Sequence, residues 1–400
     1  MRERKTSGRF KISNGQIIGR DAIHSGACVL VEQGKILGIE PMDTEFPDAE
    51  FVDAQGNYIS PGFIDIHVHG GGGSDFMDGT VEAFLTIAQT HAKHGTTSML
   101  PTTLTSEKED LIQTLDAFAL AKVENTHGAN LIGMHLEGPY FAMSQRGAQD
   151  PKYIRNPDPA EYEDILNTYQ CIKRWSAAPE LKGAVEFGKF VSSKGVLAAI
   201  AHTDAIYEEV LEAFHAGGYT LATHFYSAMS GVTRRNAYRY AGVVESAYLL
   251  DDMDVEIIAD GVHLPAPLLK LVYKIKGPDR IALITDAMRA ADMPPGNSIL
   301  GSLKNGLAVL VEDGVAKLPD RTAFAGSVAT ADRCIRTMLH MAEVPLLETI
   351  QMMSHSPARI MGIADQKGSL APGKDADIVI FNAGIEIQET FVMGRSVYQA

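Results

Sequence analysis

Cysteine is scarce: the 400 residues contain three, Cys28, Cys171 and Cys334, far apart in the chain. An odd, dispersed set excludes both a disulfide framework and a paired-thiolate metal site. It fits a reducing compartment, so a cytoplasmic protein is expected. No run of about twenty apolar residues occurs, so no membrane-spanning helix is expected. The first residues, MRERKTSGRFKISNG, are basic but lack the apolar run of a secretory leader. Positive charge is also short, with 35 Lys and Arg against 50 Asp and Glu, a formal charge of −15. Such a chain repels phosphate backbones and anionic lipid, which argues against nucleic-acid and membrane partners. A small anionic ligand would need a local cationic pocket, because long-range attraction works against it. With 45% hydrophobic and 21% charged residues the chain is otherwise that of an ordinary globular protein, which excludes disorder and collagen-like structure.

Short β-type runs fill the first sixty residues, at 10–12, 27–32, 35–39, 51–52 and 58–59, with turns at Gln33–Gly34 and Gln55–Gly56–Asn57. After Pro61–Gly62 the pattern changes to short apolar runs alternating with helical segments at 80–95, 107–123, 179–194 and 207–216. The candidate strands are 63–67, 98–101, 131–136, 196–201, 221–223, 254–258 and 281–285, with an eighth near 323–325. Strands alternating with helices imply right-handed crossovers, and eight units fill the roughly 300 residues a (β/α)8 TIM barrel needs. A hairpin at 307–311 and 315–318 precedes the last unit, and the tail returns to strands at 377–381, 385–388 and 390–393. The expected organisation is α/β: a small β domain from residues 1–60 and 368–400 beside a barrel of residues 61–367.

His67–Val68–His69 closes the first barrel strand and precedes four glycines, Gly70 to Gly73. Side chains two apart on a strand share a face, so both imidazoles can point into one site, a pairing that suits a transition metal. Similar residues follow other strands: Glu137 after 131–136, His202 after 196–201, His224 after 221–223, and Asp286 after 281–285. Active sites of this fold collect at the C-terminal ends of the strands. A purely structural reading would have to explain why apolar strands repeatedly end in His or carboxylate. The glycine run lacks the Lys-Ser/Thr of a phosphate-binding loop and reads as a tight turn beside the site. His91, His94, His127, His135, His215, His340 and His355 belong to no constellation, although His135 shares a strand face with Glu137.

Longer motifs carry a resemblance. PGFIDIHVHGGGG (61–73), GTTSMLPTT (95–103), GMHLEGPY (133–140), AHTDA (201–205), THFYSAM (223–229), ADGVHL (259–264), LITDAM (283–288) and AGS (325–327) span nearly the whole chain. Together they resemble the amidohydrolase superfamily and, within it, the family of N-acetylglucosamine-6-phosphate deacetylases. The resemblance implies a metal-dependent barrel hydrolase with a β-sandwich built from both chain ends. It implies that Glu137, His202 and His224 hold the principal ion and that Asp286 is the catalytic acid and base and a further metal ligand. The intact pair His67 and His69 implies a second ion, so one or two divalent ions per subunit are expected, zinc first and iron as the alternative. The expected partner is a small amino-sugar phosphate, and the expected reaction is hydrolysis of the acetamido group of N-acetylglucosamine 6-phosphate. The galacto epimer is the enzymatic alternative, and an inactive barrel acting as a binding scaffold is the alternative from another class.

For the substrate, the resemblance implies contacts from His263 and, for the phosphate, from Arg235 and the segment at Ser227 and Ala228. Guanidinium geometry suits phosphate. Because Arg235 is implied to serve its own or a neighbouring subunit's site, a homodimer or higher homo-oligomer is expected. Three departures stand out: Tyr226–Ser227–Ala228–Met229 replaces Tyr-Asn-Ala-Met, Arg146–Gly147–Ala148–Gln149 replaces Lys-Gly-Ala-His, and residues 236–240 replace Glu-Pro-Gly. Gln149 is expected to hydrogen-bond substrate without carrying charge.

Overall fold

The computed structural model describes residues 8–400. Its centre is a curled set of eight parallel strands: β1 (Phe63–Val68), β2 (Thr96–Pro101), β3 (Met134–Glu137), β4 (Ile172–Ala177), β5 (Leu197–Ile200), β6 (Tyr219–Ala222), β7 (Asp254–Ile258) and β8 (Ile281–Ile284). Strands β3 to β8 form one sheet in chain order, and β1 and β2 pair in a second arc that also takes Asn130–Leu131. The arcs meet at a parallel bridge between Thr102 and His135. At the other side the Asp286 N–H donates to the His67 carbonyl at 2.9 Å, and the His69 N–H to that of Ala287 at 2.8 Å.

The period-two rule shows in β1. Ile64 and Ile66 pack with Leu100, Ile258, Ala282, Ile284 and Ala358, while Asp65, His67 and His69 alternate with them along the chain. Helices between the strands cover the outer face. In Ala184–Ser193 the buried positions are Ala184, Phe187, Gly188 and Val191, the spacing of a single helical face. Gly188 lets that helix approach β6: a Cβ there would lie 2.2 Å from Tyr219 Cε2 and 2.5 Å from the Gly217 carbonyl.

Several strand expectations are corrected. The sequence reading omits β4, IKRWSA, because Lys173 and Arg174 interrupt its apolar run, yet only Lys173 is exposed. The run near 323–325 is not a strand of the parallel set: Phe324–Ser327 lies in an antiparallel sheet with Gly296–Leu300, Leu307–Glu312 and Val315–Lys317. The expected tail strands 385–388 and 390–393 are one strand, Ile387–Val392, and the chain then turns back as Arg395–Gln399.

Two further sheets lie outside the parallel set, one of N-terminal strands alone and one with strands from both chain ends. One has the order Lys35–Pro41, Ala27–Glu32, Arg9–Ser13, Glu50–Asp53. The other runs Arg395–Gln399, Ile387–Val392, Ile378–Phe381, Tyr58–Pro61, Gln16–Ile18, Ile23–His24. They share an apolar core that includes Phe10, Ile12, Val29, Ile59, Ile378 and Phe391, with Phe10 and Phe391 stacked at 5.2 Å. The part of the expected β region at residues 1–7 lies outside the described residues.

Candidate functional site

His67 lies on β1 and His69 just past it, Glu137 ends β3, and His202, His224 and Asp286 follow β5, β6 and β8 within two residues. His202, His224 and Asp286 have φ of 47°, 31° and 48°. A left-handed backbone costs a non-glycine residue about 1–3 kcal/mol and tends to recur where function fixes geometry. Here it marks a sharp turn at three strand ends.

The six side chains converge into two adjacent groups of three, Glu137 with His202 and His224, and His67 with His69 and Asp286. Glu137 Oε1 lies 3.0 Å from His224 Nε2 and 3.3 Å from His202 Nε2, and those two nitrogens are 3.3 Å apart. In the other group, His69 Nε2 lies 3.2 Å from both His67 Nε2 and Asp286 Oδ1. Glu137 spans the gap, with Oε1 3.5 Å from His67 Nε2 and Oε2 3.5 Å from His69 Nε2. The ligand atoms within each set, Glu137–His202–His224 and His67–His69–Asp286, all lie within 4.8 Å of one another.

The donor chemistry fits divalent ions. His202 Nδ1 lies 2.8 Å from the Gln145 carbonyl and His69 Nδ1 3.2 Å from that of Thr102. A carbonyl accepts only from N–H, so Nδ1 carries the proton in both rings and Nε2 is turned toward the other donors. Burial pushes Glu137 up, but the charge of His67 and the hydrogen bonds to His202 and His224 hold it well below the usual carboxylate range. Asp286 is likewise pushed up by burial and brought below its usual value by His67 and His69. Burial would lower His69, but the hydrogen bond to Asp286 and the charge of Glu137 raise it to about 9. The negative field that draws a proton onto this imidazole is one in which a divalent cation can replace that proton.

A cavity of about 480 Å³ opens over these donors, lined by His69, Glu137, His202, His224 and Asp286 and by Tyr226, Ser227, Ala228, Gln149, His263 and Phe324. The model of the Amidohydrolase family matches residues 58–397. The chain belongs to the amidohydrolase family. It is 33% identical over 370 residues to an N-acetylglucosamine-6-phosphate deacetylase of Vibrio furnissii, covering 92% of this chain and 90% of that one. An N-acetylgalactosamine-6-phosphate deacetylase of Escherichia coli O157:H7 is also 33% identical, over 367 residues, covering 91% of this chain and 93% of that one. The crystal structure of N-acetylglucosamine-6-phosphate deacetylase from Pasteurella multocida superposes with a TM-score of 0.91 at 27% identity, covering 98% of this chain and 100% of that one. No helix among the described residues is long and apolar enough to cross a membrane.

In this amidohydrolase, the residues expected to meet substrate are placed unequally. His263 lines the cavity with Nδ1 held by Asp260 Oδ2 at 2.8 Å, and its ring lies 4.7 Å from that of Phe324. Ser227 and Ala228 also line it, and the Ser227 N–H donates to the His224 carbonyl at 2.8 Å. Arg235 is not brought to the cavity. It sits exposed on the hairpin Thr233–Arg235 and Tyr238–Tyr240, its guanidinium 5.5 Å from the Tyr240 ring centroid. Gln149 reaches the cavity wall with both ends of its amide engaged by protein, on the Thr105 N–H and on Glu137.

The sequence reading missed a buried polar layer beneath the donors. Arg174 pairs with both oxygens of Glu256 and donates to Thr223 Oγ1 at 2.8 Å and to the Ile66 carbonyl at 3.1 Å. Glu256 Oε2 lies 3.6 Å from His67 Nδ1 and accepts from the His224 N–H at 3.4 Å, so one carboxylate stands behind both groups. His135 is held between Ser176 Oγ at 2.7 Å and Thr102 Oγ1 at 3.2 Å, with its ring edge-on to that of His67 at 4.8 Å between centroids. A charged residue inside each of two apolar strands, at Arg174 and Glu256, is the signal that could have found this layer.

Proposed function

We propose that this amidohydrolase hydrolyses the acetamido group of N-acetylglucosamine 6-phosphate to acetate and glucosamine 6-phosphate. The observation that carries the reading is the pair of adjacent three-residue donor groups at the cavity, with Glu137 lying between them. It is supported by relatives named for this reaction at 33% identity. In this reading Glu137, His202 and His224 hold one divalent ion, and His67, His69 and Asp286 a second, with zinc the fitting ion for a nitrogen and oxygen donor set and iron the alternative. A bound divalent ion supplies Lewis acidity, which acidifies water and polarises an amide carbonyl.

The chain's own residues do the rest. Asp286, held ionised by His67 and His69, accepts the proton of the attacking water. It then delivers that proton to the sugar nitrogen, so the C–N bond breaks to give an amine rather than an amide anion. Asp260 fixes the His263 ring, leaving its other nitrogen to orient the sugar. Phe324 and Tyr226 line the same cavity.

Arg235, exposed and off the cavity of its own chain, is assigned to the phosphate of a neighbouring copy's substrate, which makes a homodimer or higher homo-oligomer the working form. We assign the protein to the cytoplasm on the reading of its dispersed thiols. We infer also that the eight parallel strands close as a (β/α)8 barrel over residues 61–367. The sheets from both ends form a β-sandwich domain of residues 1–60 and 368–400, with 1–7 outside the described residues. The galacto epimer is the second reading, favoured by the equal identity to the Escherichia coli relative. The inactive scaffold is disfavoured by two groups of three donors, the ligand atoms of each within 4.8 Å of one another.

The test is substrate preference. Metal-replete protein should release acetate from N-acetylglucosamine 6-phosphate faster than from its galacto epimer or the unphosphorylated sugar. Preference for the epimer moves the substrate, and release from none of the three overturns the reading.

A further inference from the structure

Gln149 does more than line the cavity. It is 4% exposed, and both ends of its amide are committed. The Thr105 N–H reaches Gln149 Oε1 at 2.9 Å, and Gln149 Nε2 reaches Glu137 Oε2 at 2.8 Å. A backbone N–H can be met only by the carbonyl end of an amide, so Thr105 fixes which way the side chain faces and obliges Nε2 to donate to Glu137. The same loop grips a second donor, because the Gln145 carbonyl holds His202 Nδ1 at 2.8 Å. The Gln149 N–H itself donates to the Arg146 carbonyl at 2.9 Å, which braces the loop from within.

We infer that Gln149 is a positioning residue that sets the Glu137 carboxylate for metal binding, and that it is not a contact to the sugar. The inference rests on the reading of Glu137 as a metal ligand. Held through Oε2, the carboxylate keeps Oε1 toward His202 and His224 while Oε2 stays 3.5 Å from His69 Nε2. Partners that orient a metal ligand in this way typically contribute about 10–100-fold in affinity.

The test compares wild type, Gln149→Met and Gln149→His. Metal-stripped protein is titrated with zinc by calorimetry in the absence of sugar, and kcat and KM for the sugar phosphate are measured separately. Methionine keeps length without either hydrogen bond, so zinc binding should weaken by about 10–100-fold and kcat should fall while KM holds. Histidine offers one ring nitrogen to Thr105 and the other to Glu137, and should keep zinc affinity within about tenfold of wild type. Unchanged zinc binding in Gln149→Met, with a raised KM or no kinetic change, overturns the inference. If Gln149→Met does not fold, Gln149→His decides alone, and a loss of about tenfold or more in the folded protein overturns it. Should wild type release no acetate, the functional reading fails while the zinc titration still decides the role of Gln149.

Discussion

At the strand ends Glu137 and Asp286 face histidine nitrogens; around Lys367, Asp375 and Asp377 face an ammonium. Both clusters are buried. Lys367 Nζ lies 2.6 Å from Asp377 Oδ2 and 2.8 Å from Asp375 Oδ2, and Lys35 adds a second cation at 2.6 Å. Here the chain supplies the counter-charge and the cluster ties residues next to the tail strands together. Over the parallel strands no lysine or arginine is among the described residues that line the cavity. Lone pairs and carboxylates meet one another there instead, a costly arrangement in a low-dielectric interior unless a cation joins it. The difference separates a buried carboxylate that holds a fold from one arranged for chemistry.

Four changes sharpen or break that contrast. The largest effect is expected from Asp286→Asn, which removes the proposed proton carrier: kcat/KM should fall by about 10²–10⁴-fold while metal stays on Glu137, His202 and His224. Acetate release with metal analysis checks this, and undiminished turnover would break the mechanism. His69→Asn should weaken binding to the His67 group by more than about 100-fold, beyond what outer partners contribute, and spare the Glu137 group. Metal stoichiometry after gel filtration reads it.

Lys367→Met should act on the other side of the comparison. It strands the buried Asp377 carboxylate and leaves Asp375 with Lys35 alone, so stability should drop by about 3–5 kcal/mol in urea melts while kcat/KM of the folded protein is unchanged. A fall in kcat/KM would show that the two clusters are not separate. The smallest effect concerns His94, whose Nδ1 lies 3.2 Å from Asp332 Oδ1. Burial would lower this imidazole, but the hydrogen bond and charge of Asp332, with the charge of Asp292, raise it above its usual value. A raised folded value means the stabilisation is full below about pH 6.5 and is lost as pH rises through the folded value. Melts across pH 6–9 should show a smaller loss in His94→Gln than in wild type, the remainder coming from other raised imidazoles such as His69.

Much of the site was legible because it is written at strand ends. His67, His69, Glu137, His202, His224 and Asp286 follow apolar runs, and periodicity alone brings such positions to one end of a parallel sheet. Strand β4 was not legible, since Lys173 and Arg174 look like solvent-facing charge until Glu256 is seen opposite Arg174. Phe324–Ser327 has the length of a barrel strand, and only its antiparallel partners show where it pairs. The engagement of Gln149 depends on Thr105, 44 positions away, a contact no local pattern encodes. Arg235 sits on a hairpin that a single chain leaves outside its own cavity, so motif position and spatial position part company there.

The most direct measurement follows bound zinc and acetate release together as metal-stripped protein is reloaded in the presence of N-acetylglucosamine 6-phosphate. The account predicts negligible release from stripped protein and activity that rises with zinc bound at the Glu137 group. Full activity in the stripped protein, or zinc bound there without any release of acetate, would contradict it.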